Sequence, residues 1–189
     1  MSDPFASGLD DHVRLAHWLG GQVTLLETIG QVICRALNDG GRVYLLGNGG
    51  SAADAQHIAA EFVGRFKRDR RALPAIALTT DTSSLLSIGN DYGFDHVFAR
   101  QVEALVQTGD VVWALSTSGN SPNIIEAVRA ARGRQAQVIG FTGRSGGKLK
   151  PLCDHCLCVD HEVSDRIQEM HQLAYHLICD FVERHVVEV

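Results

Sequence analysis

Two residues four apart begin the chemistry this sequence offers. His57 and Glu61 lie in the alanine-rich stretch Ser51–Glu61, and a helix would set them on one face. An imidazole beside a carboxylate is a general acid–base pair or two ligands of a metal ion. Alone, such a pair is most often a solvated helix face. What precedes it changes the reading. Val43-Tyr44-Leu45-Leu46 is a short apolar run with the length of a buried strand, and Gly47-Asn48-Gly49-Gly50 follows it. Glycines let a backbone turn tightly and approach a ligand closely. Ser51 is expected to cap the next helix, whose free N–H groups and positive dipole end suit a phosphate.

A second stretch repeats this arrangement. Val111–Leu115 leads into Ser116-Thr117-Ser118-Gly119-Asn120-Ser121-Pro122, and Pro122 marks a helix start over Pro122–Arg132. Hydroxyls at Ser116, Thr117, Ser118 and Ser121, with backbone N–H groups, can surround a phosphate. One such loop reads equally well as a plain turn. Two matched loops at strand ends point to a phosphate or sugar site.

The elements that must hold these loops follow from periodicity. Leu9 to about Asn38 reads as two helices broken at Gly20-Gly21, with Gly40-Gly41 ending the second. They precede the first strand, and packing against another subunit is one place to bury their apolar faces. Further strands are expected at Ala75–Leu78, Gln137–Phe141 and Cys156–Val159, with helices near Ser83–Ile88 and Val97–Val106. Ser164 to Val187 reads as one amphipathic helix, its stripe running through Ile167, Met170, Ala174, Ile178 and Val182. The expected architecture is α/β: a five-stranded parallel sheet flanked by helices in three layers. It forms a single domain over 1–189, divided into an N-terminal helical extension at 1–40, a core at 41–161 and a C-terminal helix at 162–189.

Composition narrows the class. The 189 residues carry a net charge of −5, which argues against a nucleic-acid partner. No apolar run approaches the roughly 18 residues of a membrane span, and the first residues lack a signal-peptide pattern. Five cysteines fit reduced thiols in a cytoplasmic protein better than a disulfide framework. Cys153-Asp154-His155-Cys156-Leu157-Cys158 has no distant second pair and reads as buried thiols. Thr142–Leu149 lacks the leading Gly and trailing Ser/Thr of a phosphate-binding P-loop. The run Lys67, Arg68, Arg70, Arg71 reads as solvated surface, with Arg65 in reach of a phosphate. His171 reads as a packed or surface histidine.

These residues carry a resemblance. Gly47–Ser51, His57 with Glu61, Gly89-Asn90-Asp91-Tyr92-Gly93-Phe94, Ser116–Ser121, and Arg166-Ile167-Gln168-Glu169 with His176 together resemble the sugar isomerase (SIS) fold. Within it, the chain is similar to the phosphoheptose isomerases over essentially its whole length. The resemblance implies conversion of D-sedoheptulose 7-phosphate to D-glycero-D-manno-heptose 7-phosphate, the first step towards nucleotide-activated heptoses of lipopolysaccharide core, surface layer or capsule. It implies a homotetramer with active sites near subunit interfaces. It also implies one zinc ion (Zn2+) per subunit, on His57, Glu61, Gln168 and His176. Substrate contacts would come from Asn48, Gly49, Gly50, Ser51, Glu61, Asn90, Asp91, Ser116, Thr117, Ser118, Ser121 and Gln168.

For an enediol isomerisation, Glu61 suits the base at carbon and His176 the group that moves protons on the oxygens. Gln168 and His176, eight apart, have Cα atoms about 12 Å apart along a helix; either their side chains lean together or one serves another subunit. Three alternatives stand beside this reading. A replication-initiation factor related to the family keeps the fold as a non-catalytic, protein-binding tetramer. Other family members isomerise other sugar phosphates. Gly47-x-Gly49-x-x-Ala52, with Asp81 after the second strand, also matches a dinucleotide fingerprint.

Overall fold

Five apolar stretches pair into one parallel sheet: β1 (Val43–Gly47), β2 (Ala75–Ala77), β3 (Val111–Ser116), β4 (Gln137–Gly143) and β5 (His155–Val159). The computed structural model describes residues 3–186 and orders the strands β2-β1-β3-β4-β5. β1 and β3 are buried at every position, which is why they read as unbroken apolar runs. From β1 the chain moves outward to β2 and then returns to β3 on the other side. The loops leaving β1 and β3 therefore lie side by side at the carboxyl edge, with Gly47 paired to Leu115. That reversal is where open α/β sheets form a ligand crevice.

Helices cover both faces. α2 (Val23–Asn38), α3 (Gly50–Val63) and α7 (Ser164–His185) pack on Val43, Leu45, Trp113, Leu115, Phe141 and Leu157. On the opposite face, Tyr44, Leu46, Val112, Ala114 and Val138 meet α5 (Ala99–Leu105) and α6 (Pro122–Gly133), with α4 (Thr82–Tyr92) alongside. The alternation of these sheet residues is the period-2 pleat. α1 (Pro4–Gly20) starts at Asp3, whose carboxylate accepts from the Phe5 N–H at 2.9 Å, and packs Leu15 against Val159, Ile167 and Met170.

Two expectations change. α2 buries its apolar face within its own protomer, against the sheet and α7, because a parallel sheet needs both faces covered; α1 keeps Phe5, Leu9 and Val13 exposed. Ser51 is not the cap of α3: Gly49 is, at φ +54, a conformation that favours glycine, and Ser51 lies buried in the first turn. The far end of the last helix, Val187, lies outside the described residues. No helix among those described is long and apolar enough to cross a membrane.

The basic run is not uniformly solvated. Arg70 and Glu183 form a buried ion pair at 3.2 Å, with side-chain exposures of 5% and 1%. The Glu183 carboxylate also accepts from the N–H groups of Phe66, Lys67 and Arg68 at 2.7, 2.8 and 3.1 Å. Arg70 donates to the carbonyls of Glu61, Phe62 and Gly64, satisfying the end of α3. Burial alone would raise the Glu183 pKa, but the three backbone donors and Arg70 hold it below the usual carboxylate range. Its stabilising effect is therefore full above the ordinary carboxylate pKa and fades as pH falls through the lowered value. Glu183→Gln is expected to cost about 3 kcal/mol in urea denaturation at neutral pH, since it strands a buried guanidinium. Glu126→Gln, which breaks only the exposed pair with Arg129, is expected to cost less than about 1 kcal/mol.

Candidate active site and metal centre

α3 and α7 run alongside one another, and their contacts keep a near-constant register. Gly50 faces Gln168: a Cβ at Gly50 would come within 2.7 Å of the Gln168 amide. His57 meets Tyr175 and His176. Phe66, just past α3, lies at Glu183. Residues more than a hundred positions apart therefore meet turn by turn along one groove.

The lower part of this groove holds the first cluster. His57 Nε2 lies 3.0 Å from Glu61 Oε1, the i, i+4 neighbour relation expected on a helix. The His176 ring stands 5.0 Å from that of His57 at 74°, and Phe66 stacks on it at 5.4 Å and 13°. One ligand atom from each of His57, Glu61 and His176 can lie within 4.8 Å of the other two. Two imidazoles and a carboxylate are a borderline donor set that suits a divalent first-row ion. The residues thus fit a metal centre, and no other such group of His, Cys, Asp or Glu occurs among the described residues. Desolvation lowers the His176 pKa, the nearby His57 lowers it further, and Glu61 opposes both. His176 is held towards its neutral form, which can ligate a metal or exchange a proton.

Gln168, the fourth expected ligand, is placed differently. Its amide packs at Gly50, seven residues before His57 and about 10 Å up α3.

The upper part is the second cluster. Ser116 Oγ and Ser121 Oγ are 3.3 Å apart, and Thr117 Oγ1 lies 3.2 Å from Ser164 Oγ at the start of α7. Ser118 accepts from the Asn120 N–H at 3.1 Å. Ser121 precedes α6, with Pro122 in its first turn. Through Gly50, Ser121 and Ser164, the N-termini of α3, α6 and α7 converge on one crevice. Three positive dipole ends with a ring of hydroxyls favour an anion there. Asn48, expected to touch substrate, exchanges amide hydrogen bonds of 2.9 and 2.8 Å with Asn123, which is 1% exposed. This pair ties the loop after β1 to the helix after β3. Asn90 and Asp91 lie elsewhere in the protomer, exposed at the end of α4 and bonded to each other at 2.8 Å; Asp91 lines a cavity of about 540 Å³ with Asp81, Ser84 and Arg100. Asp81 uses its carboxylate to cap α4, accepting from the Ser84 N–H and hydroxyl at 3.0 and 2.8 Å, which removes the ribose-binding role of the dinucleotide reading.

Some residues at the site escaped the sequence reading. Asp54 and Tyr175 contact His57 directly or through one hydroxyl; the signals were Asp54 three before His57 on one helix and Tyr175 adjacent to His176. Asn123 and Phe66 gave no signal. His171 is the packed case: it is fully buried with Nε2 at 3.2 Å from the Thr142 carbonyl, and desolvation pushes its pKa down to about 4. The cysteines are free thiols, three of them half-buried beside β5. The neighbouring Cys153 thiol and then burial push the Cys156 thiol up to about 12, against an opposing hydrogen bond with Cys158.

Gly119 shapes the hydroxyl loop. It adopts φ +63, and a Cβ there would overlap the backbone carbonyl of Gly146. Gly119→Ala is expected to lower stability by about 1–3 kcal/mol and to weaken binding of inorganic phosphate, read by denaturation and calorimetry.

The SIS domain profile matches residues 15–143. A phosphoheptose isomerase of Helicobacter hepaticus is 48% identical over 183 residues, covering 97% of this chain and 93% of its own length. One from a Roseiflexus species is 54% identical over 167 residues, covering 88% and 85%. The solved phosphoheptose isomerase of Neisseria gonorrhoeae superimposes with a TM-score of 0.90 at 45% identity, covering 95% of this chain and 97% of that one. The chain belongs to the SIS domain family and, within it, to the phosphoheptose isomerases.

Proposed function

We propose that this chain is an aldose–ketose isomerase that converts D-sedoheptulose 7-phosphate to D-glycero-D-manno-heptose 7-phosphate through an enediol. The product would feed nucleotide-activated heptose biosynthesis. The observation that carries this reading is the joining of Glu61 and His176 in one cluster, in a chain about half identical to phosphoheptose isomerases along most of its length.

The reaction moves one proton between carbons and one between oxygens. Glu61 takes the proton from C1 of the ketose and returns it to C2. Its Oε1 faces His57, which leaves the second carboxylate oxygen for carbon. His176, held towards neutrality, accepts the proton from O1 and gives it to O2, so that C1 becomes the carbonyl and C2 the alcohol. Phe66 fixes its ring plane by stacking. The hydroxyls of Ser116, Thr117, Ser118 and Ser121 and the three helix N-termini hold the phosphate. Asn48, Gly49, Gly50 and Ser51 line the sugar, with Gln168 as a further contact; Asn90 and Asp91, exposed at the end of α4, would serve the site of a neighbouring subunit. A zinc ion on His57, Glu61 and His176 would supply Lewis acidity at the sugar oxygens, with Gln168, whose amide rests at Gly50, left to the substrate. We place the enzyme in the cytoplasm as a homotetramer with one zinc per subunit. The exposed Phe5, Leu9 and Val13 of α1 and Leu177 of α7 support an assembly that covers them.

Incubation with sedoheptulose 7-phosphate, with and without chelator, tests the reading through aldose formation. No product with zinc supplied would favour a non-catalytic binding module. Glu61→Gln and His176→Asn are each expected to lower kcat by about 100- to 10,000-fold without changing the assembly seen by size-exclusion chromatography. Native turnover in either variant would remove that residue from its role.

A further inference from the structure

Tyr175 is fully buried, yet its hydroxyl faces two polar groups of α3. It lies 3.3 Å from Asp54 Oδ1 and 3.0 Å from His57 Nδ1. The other Asp54 oxygen, Oδ2, is buried with no hydrogen-bond partner. A hydroxyl has one proton to give, whereas an ionised carboxylate can only accept. The Tyr175 proton therefore goes to Asp54, and the phenol oxygen is left to accept. The only proton in reach is one on His57 Nδ1. The hydrogen bonds then run in one direction, from His57 to Tyr175 to Asp54. The Nε2 lone pair is left facing Glu61 Oε1 at 3.0 Å, a pair of acceptors suited to a shared cation.

We propose that Asp54 and Tyr175 are positioning residues that fix His57 as the Nδ1–H tautomer and so present Nε2 as a metal ligand. The proposal rests on the metal reading above and goes beyond the ligands themselves. Metal-bound histidines commonly give their second N–H to an acceptor that orients the ring and raises its basicity. In this chain the acceptor is a phenol set by a buried carboxylate. The edge-on approach of the Tyr175 ring to His57, at 5.5 Å and 72°, also limits rotation of the imidazole.

The test is zinc affinity of the full-length, metal-stripped protein, measured by competition with a chromophoric chelator. Tyr175→Phe keeps the ring and removes only the hydroxyl. It and Asp54→Asn are each expected to raise the zinc Kd by about 10- to 100-fold, while circular dichroism and cooperative unfolding show a native fold. His57→Ala serves as the reference for a lost ligand. Native affinity in Tyr175→Phe beside weak binding by His57→Ala overturns the positioning role alone. Native affinity in both variants overturns the metal reading and this proposal with it. Loss in Tyr175→Phe but not in Asp54→Asn also overturns the proposal, because the carboxylate would then not set the direction of the chain.

Discussion

Glu183 is one carboxylate with four donors, three of them successive backbone N–H groups. It lies two helical turns beyond His176, and the site depends on it. The segment after α3 would otherwise leave that helix with unsatisfied carbonyls and the following loop with free N–H groups. Arg70 meets the carbonyls, Glu183 meets the N–H groups, and the two charges compensate each other away from water. Since Glu183 belongs to α7, the same bonds fix the lateral register of α3 on α7. That register brings His57 to Tyr175 and His176, and Phe66 onto the His176 ring.

The alternation of strands and helices was legible because β1 and β3 are buried on both faces and their sequences say so without interruption. The Ser51 cap was misread for a local reason: Gly49 at φ +54 turns the chain one residue earlier and starts the helix at Gly50. The role of Arg70 was illegible because nothing in Lys67–Arg71 separates a buried guanidinium from its exposed neighbours. Its partner is more than a hundred residues away, and only the packing of α7 selects it. The Asn48–Asn123 pair was hidden likewise, since its two members lie 75 positions apart.

The two halves of the site are physically different. At the carboxyl edge of the sheet the groups are backbone dipoles and neutral hydroxyls, which suit an anion without adding a titratable charge. Along the groove, the groups are titratable and stand in an environment that tunes them. Desolvation lowers the His176 pKa, and burial raises those of Asp54 and Tyr175. This division suits a substrate with a permanent charge at one end and proton transfers at the other.

The division also gives Gln168 a place. Its amide lies at Gly50, between the anion-binding edge and the His57 cluster, on the helix that carries His176. Gly50 has no side chain, and that absence lets the Gln168 amide rest against the first turn of α3. A methyl group at Gly50 would press on the amide and move it along or out of the groove. The glycine loop therefore does more than turn the chain: by leaving room for Gln168, it lets α7 approach the start of α3. The same two helices thus run from the hydroxyl loop, through Ser164, to the His57–Glu61 pair.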